Sequence, residues 1–148
     1  QLVSLPPAGY ALVYSAGFRA SAERLISEHT RFAFLPGSDA DDFSRRWRSV
    51  PSFFWGDLDY AGMAILKALR TSLPDLAAWR PGYQPLLDAL LAGHGHRPEQ
   101  TGKTGQNDPA STGCTYADQQ LLPALRQSGH FIDQEWLPLP VICPDADP

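Results

Sequence analysis

Asp57 and Asp59 stand one residue apart, directly after an aromatic run, in Phe-Phe-Trp-Gly-Asp-Leu-Asp-Tyr-Ala-Gly (residues 53–62). Carboxylates are seldom buried unless they are paired or hold a cation, and this pair has no obvious basic partner nearby in sequence. Side chains alternate across a strand, so both aspartates are predicted to point the same way, separated by Leu58. The apolar run ends just before them. That places the pair at the C-terminal end of a predicted strand, the edge at which open parallel sheets bind ligands. A helix predicted to start after Asp59 would offer its N-terminal amides to an anion such as phosphate, with Gly62 allowing close backbone approach. Two like charges about 4 Å apart repel by about 4 kcal/mol at an effective dielectric of 20, and a phosphate beside them adds further negative charge. Mg²⁺ or Mn²⁺ would resolve the conflict, since such ions take one or two carboxylates and complete their shell with waters and substrate oxygens. The Asp-x-Asp spacing alone fits a helix cap or a solvent-facing pair equally well.

The elements that must position the pair follow from periodicity. Residues 10–17, Tyr-Ala-Leu-Val-Tyr-Ser-Ala-Gly, predict a buried strand, and Phe18, Ala22, Leu25, Ile26 and His29 follow at helical intervals. Residues 32–42, with Pro36, Gly37 and an acidic run, predict a break in regular structure. Ser52–Asp57 is the second predicted strand, opened by Pro51. Gly62, Ile65, Leu66, Leu69 and Leu73 give the next helix its face, and Pro74 stops it. Strand, helix, strand, helix is the pattern of a parallel sheet covered by helices. A short helix is predicted from Pro85 to Gly93. Residues 93–113, rich in Gly, Pro, Ser and Thr, predict a mobile surface loop. Thr115 with Asp118 resembles a capping box, Leu121, Leu122 and Leu125 form the next apolar stripe, and Gly129 ends that helix. Asp133 and Glu135 follow beside apolar neighbours.

The chain has 148 residues, 43% of them hydrophobic, which suits one domain with a single core, and no apolar run reaches the length of a membrane span. The first residues lack the marks of a secretory signal and an initiator methionine, so a C-terminal fragment of a longer cytoplasmic protein is expected. Cys114 and Cys143 are expected as reduced thiols. A net charge of −4 argues against a surface that grips nucleic acid over its whole area, though not against a local metal-assisted site. Arg45, Arg46 and Arg48 around Trp47 fit a solvated segment or a phosphate contact.

Trp55, Gly56, Asp57, Leu58, Asp59, Gly62, Ala64, Ile65, Leu66, Leu69 and Arg70 resemble the pattern aromatic-Trp-Gly-Asp-Leu/Ile-Asp-x-x-Gly, then Ala-Ile-Leu and Leu-Arg. That pattern belongs to the Toprim domain that ends the JetD subunit of bacterial Wadjet defence systems, a relative of the Toprim domain of the topoisomerase VI A subunit. Residues 12–18 resemble that family's strand and glycine, and residues 133–137 resemble its Glu-Gln-Glu segment, with Asp133 in place of the first glutamate. The resemblance implies an α/β, Rossmann-like Toprim fold with a short, mostly parallel sheet flanked by helices. It implies a Mg²⁺- or Mn²⁺-dependent nuclease acting on double-stranded plasmid or phage DNA presented by SMC-like Wadjet subunits, and a homodimer formed through the parent protein. Asp57 and Asp59 would be metal ligands, and Glu135 a further catalytic candidate. Toprim domains also carry a glutamate at the end of their first strand. In this family it precedes residues resembling 1–7, so residues 1–148 by themselves are expected to bind metal weakly and cut DNA poorly.

Haloacid-dehalogenase-type phosphatases also use Asp-x-Asp, but Tyr60 and Ala61 replace the expected downstream residues, and no lysine is marked out. Glycosyltransferases use a similar pair with no other support in this sequence. A non-catalytic DNA-positioning or partner-docking module is the stronger alternative. His94 and His96 are expected as exposed loop residues rather than a zinc site. Residues 102–105, Gly-Lys-Thr-Gly, lack a full phosphate-loop pattern and are expected as linker. Tyr60 is expected as a helix-start aromatic rather than a nucleophile, and the four tryptophans are expected to pack rather than stack on bases.

Overall fold

In the computed structural model the described residues are 36–137, with isolated positions before them. The strand predicted at 10–17, the helix after it and Cys143 lie outside the described residues.

The acidic run at 39–42, read from sequence as a break, instead starts a helix, α1 (Ala40–Arg46). Asp39 caps it by accepting from the Asp42 N–H at 2.8 Å. Asp41 and Asp42 in the first turn and Arg45 and Arg46 in the last complement the helix dipole. None of its residues is buried, and Arg45 and Arg46 both pair with Asp42.

Strand β1 is only Phe53–Phe54, shorter than predicted. The chain runs from it into helix α2 (Tyr60–Arg70) and returns as β2 (Ala77–Ala78), which pairs with β1 in parallel, Phe53 opposite Ala77 and Phe54 opposite Ala78. This is a parallel βαβ crossover, but not the one the periodicity implied, which joined the strand at 10–17, outside the described residues, to that at 52–57; Ala77–Ala78 carries too little apolar pattern to be read as a strand. The fold is a small α/β one, as expected. Helix α2 buries Gly62, Met63, Leu66 and Leu69. Its C-terminal residue Arg70 hydrogen-bonds through its guanidinium to the Leu76 carbonyl, tying the helix end to the approach to β2.

Helix α3 spans Arg80–Leu91, five residues earlier in onset than the predicted start at Pro85. Pro81 sits in its first turn, where a missing N–H costs nothing, and Pro85 is carried inside the helix. Its buried face is Gly82, Tyr83, Leu86, Leu87 and Leu90. A widened π turn at Ala117–Leu121 leads into α4 (Leu122–Ser128), the Leu122 N–H reaching the Ala117 carbonyl. The widening falls just before Pro123, which cannot donate to the preceding turn. Leu121, Leu122 and Leu125 are fully buried, and Gly129, at φ 64°, ends the helix as predicted. The capping box is not formed. Asp118 instead accepts from the Thr112 and Gly113 N–H groups and the Ser111 and Thr112 hydroxyls, stapling the preceding loop to this helix.

The core gathers the inner faces of α2, α3 and α4 with Leu58, Phe131 and Ile132. Trp55 and Trp79 pack edge to face with centroids 6.0 Å apart, and Trp47 stacks on Phe43 at 6.2 Å. Trp136 is half exposed, its ring 5.3 Å from that of His94. Cys114 is a buried free thiol whose sulfur accepts from the Ala78 N–H. Among the described residues no helix is long and apolar enough to cross a membrane.

Candidate functional site

The backbone around Leu58 builds the site. Leu58 and Ile132 exchange a pair of antiparallel hydrogen bonds, 2.9 and 3.1 Å, and both side chains sink into the core. Alternation then turns Asp57 and Asp59, the neighbours of Leu58, and Asp133, the neighbour of Ile132, toward a common point. A second bridge, between His96 and Phe131, lays residues 93–97 alongside.

At that point stands the ammonium of Lys103. Its Nζ donates to Asp57 Oδ2 at 2.8 Å, to Asp59 Oδ2 at 3.0 Å and to Asp133 Oδ1 at 2.5 Å. Asp57 and Asp59 therefore face one point, as alternation predicted, and although no basic residue stands near them in sequence, Lys103 supplies one through space. Lys103 lies 44 to 46 positions away in sequence, within the segment read as linker. That segment is fastened rather than loose. The Lys103 N–H donates to the Pro98 carbonyl, and Gln106 donates to Asp59 Oδ2 at 3.1 Å while accepting from the Ala61 N–H at 2.9 Å. Among the lysines of the sequence, only Lys67 and Lys103, nothing in the local pattern marks the second; a Lys close to two glycines reads as a turn.

Asp59 performs two tasks. Its backbone is extended and its Oδ1 accepts from the Gly62 N–H at 2.7 Å, so it is the N-cap of α2. Its other oxygen faces the cluster. The side chain is only 3% exposed, against 35% for Asp57 and 41% for Asp133. Asp57 Oδ1 accepts from the Gln134 N–H at 2.9 Å, fixing its orientation. Gly62 is required here by space. A Cβ at that position would lie 2.3 Å from the Asp57 carbonyl oxygen.

The expected phosphate seat at the start of α2 is already filled by the protein itself. The Ala61 N–H goes to Gln106, the Gly62 N–H to the Asp59 side chain and the Met63 N–H to the Asp59 carbonyl. An anion would not find those three amides free.

Burial works against charge on Lys103, but hydrogen bonds to Asp133, Asp57 and Asp59 outweigh it and hold the ammonium well above the ordinary lysine range. Burial likewise opposes ionisation of Asp133, yet Lys103 and then His96 keep its carboxyl below the usual range. His96 is half buried rather than exposed, its Nε2 3.4 Å from Asp133 Oδ1 and its Nδ1 3.0 Å from the Thr101 hydroxyl.

Glu135 is placed differently from the aspartates. It lies exposed on the 3₁₀ turn Gln134–Trp136, at the rim of a shallow cleft shared with Gly95, His96, Asp133 and Trp136. Asp133, two residues earlier, is the third carboxylate that reaches Asp57 and Asp59. Tyr60 is the first residue of α2 and packs edge to face on Phe131 at 5.4 Å.

Three carboxylates share one ammonium, so the cluster keeps an excess of negative charge. The donors are all hard oxygens, the set preferred by Mg²⁺ and Mn²⁺. Their spacing is another matter. They surround the ammonium at 2.5–3.0 Å, whereas Mg²⁺ takes oxygens at about 2.0–2.1 Å, and among the described residues no three His, Cys, Asp or Glu are grouped closely enough to hold a metal ion as they stand. The chemistry of the donors fits a divalent ion; the shell is drawn to the size of a lysine.

A family model described as Wadjet protein JetD, C-terminal, matches residues 10–143. No curated protein and no solved structure matches the chain.

Proposed function

Since the chain belongs to the family of the Wadjet protein JetD C-terminal domain, and so to a component of Wadjet defence, we propose that it is a Toprim-like nuclease domain whose Asp57 and Asp59 hold Mg²⁺ or Mn²⁺ for phosphodiester cleavage. The observation that carries this is the convergence of Asp57, Asp59 and Asp133 on one positive centre. A bound divalent ion would supply Lewis-acid polarisation of the phosphate and an activated water. Asp59, anchored through Gly62 and almost fully desolvated, is the fixed ligand; Asp57, oriented by the Gln134 N–H, is the second. Asp133 replaces Glu135 as the third carboxylate within reach, and Glu135 keeps a role only at the rim. With the first-turn amides of α2 occupied, DNA phosphate would be recruited through the metal and not by the helix terminus. The substrate on this reading is double-stranded plasmid or phage DNA delivered by SMC-like Wadjet subunits, with a homodimer formed through the parent protein.

One observation favours a second reading. A lysine already occupies the centre of the cluster, as it would in a non-catalytic DNA-positioning or partner-docking module. Mn²⁺ binding measured by titration calorimetry and paramagnetic resonance separates the two. The nuclease reading expects binding by the wild-type chain and its loss, with any Mn²⁺-dependent plasmid nicking, in the Asp57→Ala, Asp59→Ala double variant. Equal behaviour of the two proteins would refute it.

A further inference from the structure

The same three carboxylate oxygens that the nuclease reading assigns to a divalent ion are the ones that hold Lys103. An ammonium and a divalent cation cannot share that centre, because like charges in contact repel strongly where solvent is largely excluded. We propose that Lys103 is a built-in counter-cation that a divalent ion displaces, so that metal entry releases the loop around Lys103 from the site. The inference rests on the metal-site reading above and gives that site its regulation.

Four features support exchange. Asp59 is almost fully desolvated, which penalises a lone charge, and Lys103 places a cation beside it in the metal-free protein. Three carboxylates exceed one ammonium, so a double charge matches them better than a single one. The loop is also held by polar contacts that a divalent ion would compete for. No residue from 101 to 111 is buried, and the hydrogen bonds and ion pairs that tie 102–106 to the rest of the domain are the ion pairs of Lys103, its N–H to Pro98, and the two bonds of Gln106. Finally, Gly102 and Gly105 bracket the lysine at φ +69° and +79°, with nothing within 4 Å of where a Cβ would be, so the backbone has room to turn at both ends. The loop walls a cleft of about 470 Å³ with Tyr60, Ala61 and Ala64, and its departure would widen access to the carboxylates.

The sequence contains two lysines, Lys67 and Lys103, which allows a direct test. Lys67 Nζ meets the Pro109 carbonyl at the exposed surface and serves as internal reference. The full chain is labelled with acetic anhydride, with and without Mn²⁺, and acetylation of each lysine is read by mass spectrometry. Mn²⁺ affinity is measured in parallel for wild type and Lys103→Gln. Exchange predicts that Mn²⁺ raises labelling of Lys103 relative to Lys67 about tenfold or more, and that Lys103→Gln binds Mn²⁺ at least tenfold more tightly. Binding by Lys103→Gln alone would overturn exchange, because the ion would then fail to displace the lysine from the wild-type chain. If Mn²⁺ binds but Lys103 labelling does not move and the affinities agree, exchange is overturned while the metal site survives. If neither protein binds Mn²⁺, the metal site and the exchange fall together. Should Lys103→Gln not fold, the wild-type labelling ratio decides alone.

Discussion

Removing the charge of Lys103 while keeping its length, as in Lys103→Met, asks how much the cluster depends on a cation. The Asp59–Lys103 pair is well shielded, with side chains 3% and 22% exposed. Deleting one partner of a buried pair costs about 3–5 kcal/mol, because the other charge is left uncompensated. Asp57 and Asp133 are more exposed, and each screened contact contributes on the order of 0.2–1 kcal/mol. The Gly62 N–H and the Gln106 amide still hold Asp59 and offset part of the loss. A net destabilisation of about 3 kcal/mol follows, or roughly 6–12 °C in Tm for a chain of this size. Thermal unfolding in EDTA at pH 7 measures it. Two accompanying effects identify the cause. Millimolar Mn²⁺ restores the variant more than it stabilises wild type, and acidification narrows the gap as the Asp133 carboxyl, held below the usual range by Lys103 in wild type, takes up its proton. A variant within about 2 °C of wild type in EDTA, below 1 kcal/mol on the same scale, would mean that the carboxylates are solvated and need no cation. The electrostatic reasoning would then fail.

Gly62→Ala places a methyl 2.3 Å from the Asp57 backbone oxygen; overpacking of this kind costs about 1–3 kcal/mol. Denaturant titration should show that loss, and calorimetry should show weakened Mn²⁺ binding because Asp57 is pushed out of place. Tyr83→Phe removes the buried oxygen that accepts from the Gly56 N–H at 3.1 Å. It should cost about 1–3 kcal/mol by leaving that amide unsatisfied, with no change in Mn²⁺ stoichiometry. Asp118 carries a pH signature: burial opposes its ionisation, but the Ser111 hydroxyl and the Thr112 and Gly113 donors hold its carboxyl below the usual range. Its contribution is thus present above the unfolded value of about 3.9 and is lost as pH falls through the lower folded value. Denaturation between pH 2 and 7 should show stability falling below about pH 4, and Asp118→Asn should be less stable at neutral pH with a shallower acid loss.

The local sequence determined what short-range periodicity and covalent neighbours can determine. The helix after Asp59, the buried stripe Leu121–Leu122–Leu125, the stop at Gly129 and the pairing of Asp57 with Asp59 on one side all follow from alternation and helical repeat acting within a few residues. Short-range rules also misled where two of them compete. Asp39–Asp42 looked like a break, yet acidic residues at a helix start are a cap and a dipole partner. Pro85 looked like a helix start, yet Pro81 already served the first turn. Asp118 preferred the amides of its own upstream loop to a capping box. Tertiary structure alone decided the composition of the site. The Leu58–Ile132 bridge brings Asp133 across 74 positions, leaving Glu135 at the rim. Loop 102–106 brings Lys103 to the carboxylates from a stretch with no periodicity to read. Charge acts through space at 3 Å, while sequence records order along the chain, and a lysine set among glycines carries no mark of the distant aspartates it will neutralise.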